Sequence, residues 1–429
     1  MIQRIFVRNY KSLQNTEVVF SGPLTVIFGP NAAGKSNLFD AIQLVSRIVT
    51  SRNLKEAFSG HRGLPIECVH YDRGNASTLD EKEWHGMDFE IDVRLTNRVI
   101  EETERLIHNL RTDLGDAGQG VSKDDAPKKR ITNPLLRYTI YLEVSSRTGQ
   151  ARIKDERLVA LRQHDNSEKA RGAFIEKNDK DRLSLRMEGQ SRPTYYDLGL
   201  DSAVVASELY APHYPHITAF KEEMRRCQFY YFEPRELMRA GNAIADVTQI
   251  GPRGEDLAAF YYTLQERNQA QFTNLKRNAA AILPRLTNLT LDKRKSGEIF
   301  IETHEGEASY SNRLISEGTL RVLGLLAVLS PSSGSTTIGY EEPENGVHPR
   351  RISQIADLLK NAAGEDRQIL VNTHSAVLAG YFENQNLMIC RRAATLTCFT
   401  PFVTVGSLFK KSDIQENLEE QIVRGDYGG

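Results

Sequence analysis

Only four of the 429 residues are cysteines, Cys68, Cys227, Cys390 and Cys398, and no two stand at C-x-x-C spacing. That scarcity speaks against a disulfide framework and against a cysteine-ligated zinc site. No apolar run approaches the roughly 18 residues that a membrane-spanning helix requires, and Met1-Ile2-Gln3-Arg4 leads straight into a strand pattern instead of a signal peptide. A cytoplasmic chain without membrane contact is therefore expected. Charge of one sign is missing too: Lys plus Arg number 55 against 56 for Asp plus Glu, so any nucleic-acid contact has to come from a local patch. Internal repeats and long heptad arrays are absent. With 40% hydrophobic residues the chain can bury a sizeable core, as several domains or as one domain carrying a large insertion.

Against these absences one stretch stands out. Gly29-Pro30-Asn31-Ala32-Ala33-Gly34-Lys35-Ser36 follows the apolar run Leu24 to Phe28 and opens a helix-like segment from Asn37 to Val49, with Leu38, Ala41, Ile42, Val45, Ile48 and Val49 at helical spacing. This is the G-x-x-x-x-G-K-[ST] phosphate loop in its strand-loop-helix setting. Its glycines let successive backbone N–H groups turn inward onto a phosphate, and the helix adds its positive end. Gly29, Asn31, Ala32, Ala33, Gly34, Lys35, Ser36 and Asn37 are the expected nucleotide contacts. Lys35 reaches the β- and γ-phosphates, and Ser36 offers a hydroxyl to Mg²⁺.

A second informative block lies far downstream. Ser316-Glu317-Gly318 opens the apolar helix Val322 to Leu329, which makes Ser316 either an N-cap alone or, with Gly318, part of a second anion site. Thr336 to Tyr340 reads as a buried strand that ends in Glu341-Glu342-Pro343-Glu344, followed by the tight turn Asn345 to Pro349. Ligands gather at the carboxyl ends of parallel strands, so these carboxylates are expected to face the phosphates. Glu341 is placed to hold Mg²⁺ through water, and Glu342 to orient and deprotonate the attacking water. A further buried-strand pattern, Arg367 to Asn372, ends at Thr373-His374-Ser375, and His374 is a candidate γ-phosphate sensor.

Between the two blocks the chain reads as strands and exposed helix. Asp88 to Leu95 alternates as a strand, Glu101 to Leu114 looks like an exposed helix, and Gly115 to Arg130 is a Gly/Asp/Lys-rich loop. Lys123 to Arg157 holds nine Lys or Arg against five Asp or Glu, a net +4 over two apparent strands, Leu136 to Val144 and Ala151 to Ala160. Such a run is either a solvated face or a DNA path. Val204 to Cys227 is expected to be helical with a break around Pro212 and Pro215, and Asn9-Tyr10-Lys11-Ser12 either approaches the nucleotide from the side or is a turn.

Together these blocks resemble the ABC-type ATPases of the SMC, RecF and OLD group, in the compact branch whose second acidic motif reads Glu-Glu-Pro-Glu. The resemblance covers about residues 1–92 and 229–390. It implies an α/β fold: an ABC-type P-loop NTPase head with a mixed β-sheet core and an inserted arm or lid. It also implies that Ser316-Glu317-Gly318 is the signature motif, Asn345 to Pro349 the D-loop and His374 the switch histidine. The expected division is 1–95 for the N-terminal lobe, 96–227 for the arm or lid, 228–390 for the C-terminal lobe and 391–429 for an extension. The sequence departs from the group in places. No glutamine occurs between Gln43 and Gln119, so the usual Q-loop ligand has no counterpart and His70 or Asp72 is only a weak substitute. The insert is too short for the long SMC coiled coil, and no toprim-like acidic region follows Cys390. The resemblance implies ATP and Mg²⁺ as ligands and an ATP-dependent head-to-head homodimer or higher oligomer. It further implies an effector protein from the same operon as partner, with direct DNA binding as the alternative, as in RecF-type repair proteins.

Overall fold

The computed structural model describes residues 1–70, 82–113, 130–178, 180–188, 193–393 and 396–404. At its centre is a six-stranded sheet in the order Cys227–Tyr230, Thr337–Glu341, Gln368–Thr373, Leu24–Phe28, Leu387–Ala393 and Leu396–Pro401. The first five strands run parallel, and the last closes an antiparallel hairpin. Every residue of Leu24–Phe28 and Thr337–Glu341 is buried, as expected for parallel strands covered on both faces. One face carries the helix Lys35–Thr50, whose Leu38, Phe39, Ile42 and Val45 share a core with Ile27 and Leu370. The other carries the helices Leu257–Arg267, Gln269–Ile282, Glu317–Leu329 and Ile352–Ala362, packed in one core with Val26, Ile338, Ile369 and Val371. Alternate residues of Leu24–Phe28, Gln368–Thr373 and Leu387–Ala393 thus supply two separate cores.

A second, antiparallel sheet has the order Thr16–Val19, Ile2–Arg8, Trp84–Arg94, Leu135–Ser145, Ala151–Leu161, Glu168–Lys177, Arg182–Leu185 and Thr194–Asp197. Residues of the middle segment therefore extend the sheet that the N-terminus begins. Their buried side chains, among them Leu136, Ile140 and Leu158, join the core under the helix Lys35–Thr50. A small third sheet, Asn242–Ala243, Glu298–Glu305 and Asn288–Lys293 with Ala308–Ser311 on Glu298–Glu305, lies in the C-terminal half. The hairpin Leu387–Ala393 and Leu396–Pro401 crosses the expected boundary at residue 391.

Two local expectations differ from the structure. In the stretch from Val204 to Cys227 only Pro215–Arg225 forms an α-helix, because Pro215 occupies its first turn, where the missing N–H costs nothing. Cys227 already belongs to a strand. The sequence after Gly254-Glu255-Asp256-Leu257-Ala258 reads as a helical stretch to about Leu283, whereas the structure has two helices there, parted at Asn268, whose side chain accepts from the Gln271 N–H at 3.1 Å and caps the second. The helix Asn97–Asp113 stands where an exposed helix was expected. Most of the loop Gly115 to Arg130 lies outside the described residues.

Among the carboxyls buried in the antiparallel sheet is that of Glu156. Glu156, fully buried, accepts hydrogen bonds from the Val204 and Val205 N–H groups at 2.6 and 2.9 Å and from the Tyr138 hydroxyl at 3.2 Å. Burial pushes its pKa from the ordinary 4.5 up to about 7, against these hydrogen bonds, which pull it down. Between those values the folded protein holds a proton that the unfolded chain releases. The resulting stability is fully present below pH 4.5 and is lost as pH rises through 7. The loss amounts to about 3 kcal/mol at ~1.4 kcal/mol per pKa unit. Urea unfolding at pH 5 and pH 8 should show Glu156→Gln lacking this part of the pH slope. Identical slopes in both proteins would contradict the assignment.

Candidate functional site

The phosphate loop is shaped by close backbone approaches. Gly34 and Ala32 take left-handed conformations, φ 106° and 62°. A Cβ on Gly29 would lie 2.0 Å from the Cys390 carbonyl oxygen, and one on Gly34 would lie 2.1 Å from Thr397 Oγ1. Only glycine fits either place. Thr397 Oγ1 donates to the Ala33 carbonyl at 2.9 Å and lies 2.6 Å from Ser12 Oγ, which in turn accepts from Asn37 Nδ2 at 2.7 Å. Asn9-Tyr10-Lys11-Ser12 is thus a turn that braces the loop and the start of its helix. Asn37, an expected nucleotide contact, spends its amide on that brace. Asn31 and Ala32 are exposed on the rim, and Ala33 is buried.

Lys35 is buried, and its Nζ donates to the Gly29 and Pro30 carbonyls at 2.7 and 2.9 Å, which places the ammonium inside the loop. Burial lowers its pKa, while the surrounding acidic groups, Glu342, Glu341 and Glu344 among them, oppose the shift. At the end of strand Thr337–Glu341, one strand removed from the phosphate-loop strand, Glu341 Oε2 accepts from Ser36 Oγ at 3.1 Å. Two segments separated by some 300 residues thus meet as a hydroxyl–carboxylate pair. Glu342 has the unusual φ of 51° for a non-glycine residue, with its N–H bonded to the Asn372 carbonyl at 2.8 Å. Strain of this kind persists where the surroundings fix it, and it collects at functional sites. The Glu342 carboxylate lies 3.1 Å from His374 Nδ1 and also accepts from the Asn345 amide. Glu344 is buried against the Thr373 hydroxyl, and burial raises its pKa.

Ser36 and Glu341 are oxygen donors of the kind Mg²⁺ takes alongside water and nucleotide phosphates. Among the described residues no group of three or more His, Cys, Asp and Glu could enclose a metal unaided. A divalent ion would therefore depend on the oxygens of its nucleotide. Buried polar atoms without a partner among the described residues stand close by: Glu344 Oε2 and both side-chain atoms of Asn372. The residues present fit the ion.

Sequence reasoning missed Arg62. Its guanidinium lies 2.6 Å from Glu341 Oε1, with Nε 3.4 Å from Asp40 Oδ1, and Lys11 Nζ holds the other Asp40 oxygen at 2.7 Å. Burial raises the Glu341 pKa, and Arg62 works against it. The signal available was an arginine in Gly60-His61-Arg62-Gly63, where both glycines take positive φ, 126° and 97°. His70, the weak Q-loop substitute, has Nδ1 2.5 Å from the Lys11 carbonyl, and Asp72 lies outside the described residues.

The segment Ser316-Glu317-Gly318 stands apart from the phosphate loop. Ser316 caps the helix Glu317–Leu329, its Oγ accepting from the Thr319 N–H at 3.1 Å, and Glu317 pairs with Arg235 at 2.6 Å. Gly318 packs on the turn after the acidic motif, where a Cβ would lie 2.1 Å from the Gly346 carbonyl oxygen. Among the described residues no hydrogen bond joins Ser316 or Gly318 to the phosphate loop, whereas Ser36, Glu341, Glu342 and His374 form one cluster. Because the obstacle at Gly318 is backbone, Gly318→Ala should cost about 1–3 kcal/mol, the range for overpacking. A denaturant titration checks this, and a loss below about 0.5 kcal/mol would place Gly346 elsewhere.

A phosphate loop, an acidic strand end and a histidine on three neighbouring parallel strands define a P-loop nucleotide-binding protein. Comparison with known proteins narrows the class. Residues 4–191 match the family described as "AAA domain", and residues 208–380 match the family described as "AAA domain, putative AbiEii toxin, Type IV TA system". A solved SMC head bound to the C-terminal winged-helix domain of ScpA superposes with a TM-score of 0.51 at 13% identity, covering 93% of this chain and 96% of that one. A DNA replication and repair protein RecF from Picosynechococcus sp. is 38% identical over 56 residues, 13% of this chain and 14% of that protein. A DNA double-strand break repair Rad50 ATPase from Thermoplasma volcanium is 26% identical over 158 residues, 32% of this chain and 18% of that protein. The chain thus spans less than a fifth of either relative. It carries two segments matched by AAA-domain families and takes an SMC-head-like α/β fold built on mixed sheets, with short stretches distantly similar to RecF and Rad50. No helix among the described residues is long and apolar enough to cross a membrane.

Proposed function

We propose that the chain binds and hydrolyses ATP as a head-to-head dimer and acts as a switch on a separately encoded effector or DNA-processing partner in bacterial anti-phage defence. The observation that carries this reading is the single cluster in which Ser36 meets Glu341 at 3.1 Å and Glu342 meets His374 at 3.1 Å, with Ser316 and Gly318 left outside it. The phosphate-loop N–H groups and Lys35 hold the triphosphate. Ser36 and Glu341 would hold Mg²⁺, which when bound would neutralise phosphate charge. Glu342 accepts the proton of the attacking water, and His374 keeps the Glu342 carboxylate aimed. Ser316 and the N–H groups near Gly318 serve the nucleotide of the second protomer, so two-fold symmetry completes both sites with one surface. The link to defence rests on the family description that names a putative AbiEii toxin.

The alternative is a RecF-like protein that binds DNA directly, favoured by the short RecF segments. Within the basic run, however, Arg137, Arg152 and Arg157 are ion-paired with Asp92, Glu143 and Glu168 at 2.6, 2.7 and 2.5 Å. Those charges are already neutralised. Lys128 and Lys129 lie outside the described residues. Co-expression with the products of neighbouring genes tests the choice. ATP-dependent co-purification of one of them supports the switch. Salt-sensitive duplex binding that neutralising Lys128, Lys129 and Arg130 abolishes supports the alternative.

A further inference from the structure

Strand Gln368–Thr373 lies between the phosphate-loop strand and the Glu341 strand, and Asn372 is in register with Ile27 on one side and Glu341 on the other. Leu370, two residues earlier, packs in the core beneath the helix Lys35–Thr50, as does Ile27. The Asn372 side chain therefore points to the face on which Glu341 meets Ser36 and Arg62. It is 2% exposed, and among the described residues neither Oδ1 nor Nδ2 has a hydrogen-bond partner. Its backbone carbonyl is occupied, holding the N–H of the strained Glu342 at 2.8 Å. Each orphaned polar group costs about 1–3 kcal/mol, while the preceding residues Ile369, Leu370 and Val371 are apolar and fully buried. Folding alone would favour an aliphatic side chain here.

A buried amide that offers one acceptor and two donors in register with Glu341 matches ordered water. We propose that Asn372 is a positioning residue of the divalent-cation site: its side chain holds the water that the cation and nucleotide bring to Glu341, and so sets how tightly Mg²⁺ is retained. The inference rests on the nucleotide reading above and adds a residue to it. Outer partners of this kind commonly change metal affinity by about 10–100-fold.

Asn372→Leu removes both orphaned groups at similar volume, so stability and function should move in opposite directions. The nucleotide-free variant should melt at or above the temperature of the unaltered protein. In equilibrium binding of a non-hydrolysable ATP analogue, the Mg²⁺ concentration at half-saturation should rise about tenfold or more, with binding in EDTA unchanged. Asn372→Thr, which keeps one hydroxyl, should fall between the two and serves if the leucine variant does not fold. A lower melting temperature with unchanged Mg²⁺ dependence would identify a purely structural internal water and overturn the proposal. Absence of any analogue binding by the unaltered protein would instead remove the nucleotide reading itself, and this proposal with it.

Discussion

Glu342→Gln protein is expected to bind ATP as the unaltered protein does and to hydrolyse it slower by about 10² or more, the scale of losing a general base. The amide keeps the shape of a side chain whose carboxylate lies 3.1 Å from His374 Nδ1, and loses only the ability to take a proton. With turnover blocked, the γ-phosphate stays in place and the closed dimer should persist. Light scattering of this variant should give a doubled mass with Mg²⁺ and ATP and the single mass without. Adding Ser316→Arg should prevent the doubling, because a bulky cation would obstruct the helix end that meets the other protomer's nucleotide. Hydrolysis at the normal rate would remove Glu342 from the mechanism.

Lys35→Ala should nearly abolish nucleotide binding. Lys35 is the one side-chain cation within the loop, and hydrogen bonds to charged groups are worth about 1.5–3 kcal/mol each. Loss of two such bonds weakens binding by about 10² or more at ~1.4 kcal/mol per tenfold. The Gly29 and Pro30 carbonyls that now accept from Nζ at 2.7 and 2.9 Å would be left without that donor, so a melting curve has to accompany the titration. Normal ATP affinity in a folded Lys35→Ala protein would refute the phosphate-loop assignment.

Sequence patterns legible in advance were those tied to a strict local period or to a backbone geometry. The loop Gly29 to Ser36 announces itself because only glycine tolerates φ 106° at residue 34 and the approach of the Cys390 carbonyl at residue 29. The strands ending at Glu341 and Thr373 were visible as short apolar runs because both of their faces are covered. Arg62 was not legible: its partners Asp40 and Glu341 are 22 and 279 residues away, and the glycines at 60 and 63 mark a turn without marking what its arginine will meet. Asn372 looked like the polar end of an apolar strand, and its meaning depends on which sheet face it takes. The basic run from Lys123 to Arg157 was read as a solvated face or a DNA path, and its ion pairing was not legible for a related reason. The carboxylates facing its arginines come from adjacent strands, Asp92 for Arg137 and Glu168 for Arg157, and both lie outside the window in which charge was counted. Helix breaks were judged from proline alone, whereas Asn268 parts two helices by capping.

Mixing two inactive proteins tests the dimeric switch most directly. Lys35→Ala removes one protomer's phosphate loop, and Ser316→Arg blocks the other's signature end. A mixed dimer in which the signature acts on the opposite protomer retains one intact composite site. Dimers purified through two different affinity tags, one on each variant, should therefore recover up to about half of the normal ATPase rate, while each variant alone stays inactive. Demonstrably mixed dimers without recovered hydrolysis would contradict the shared-site account.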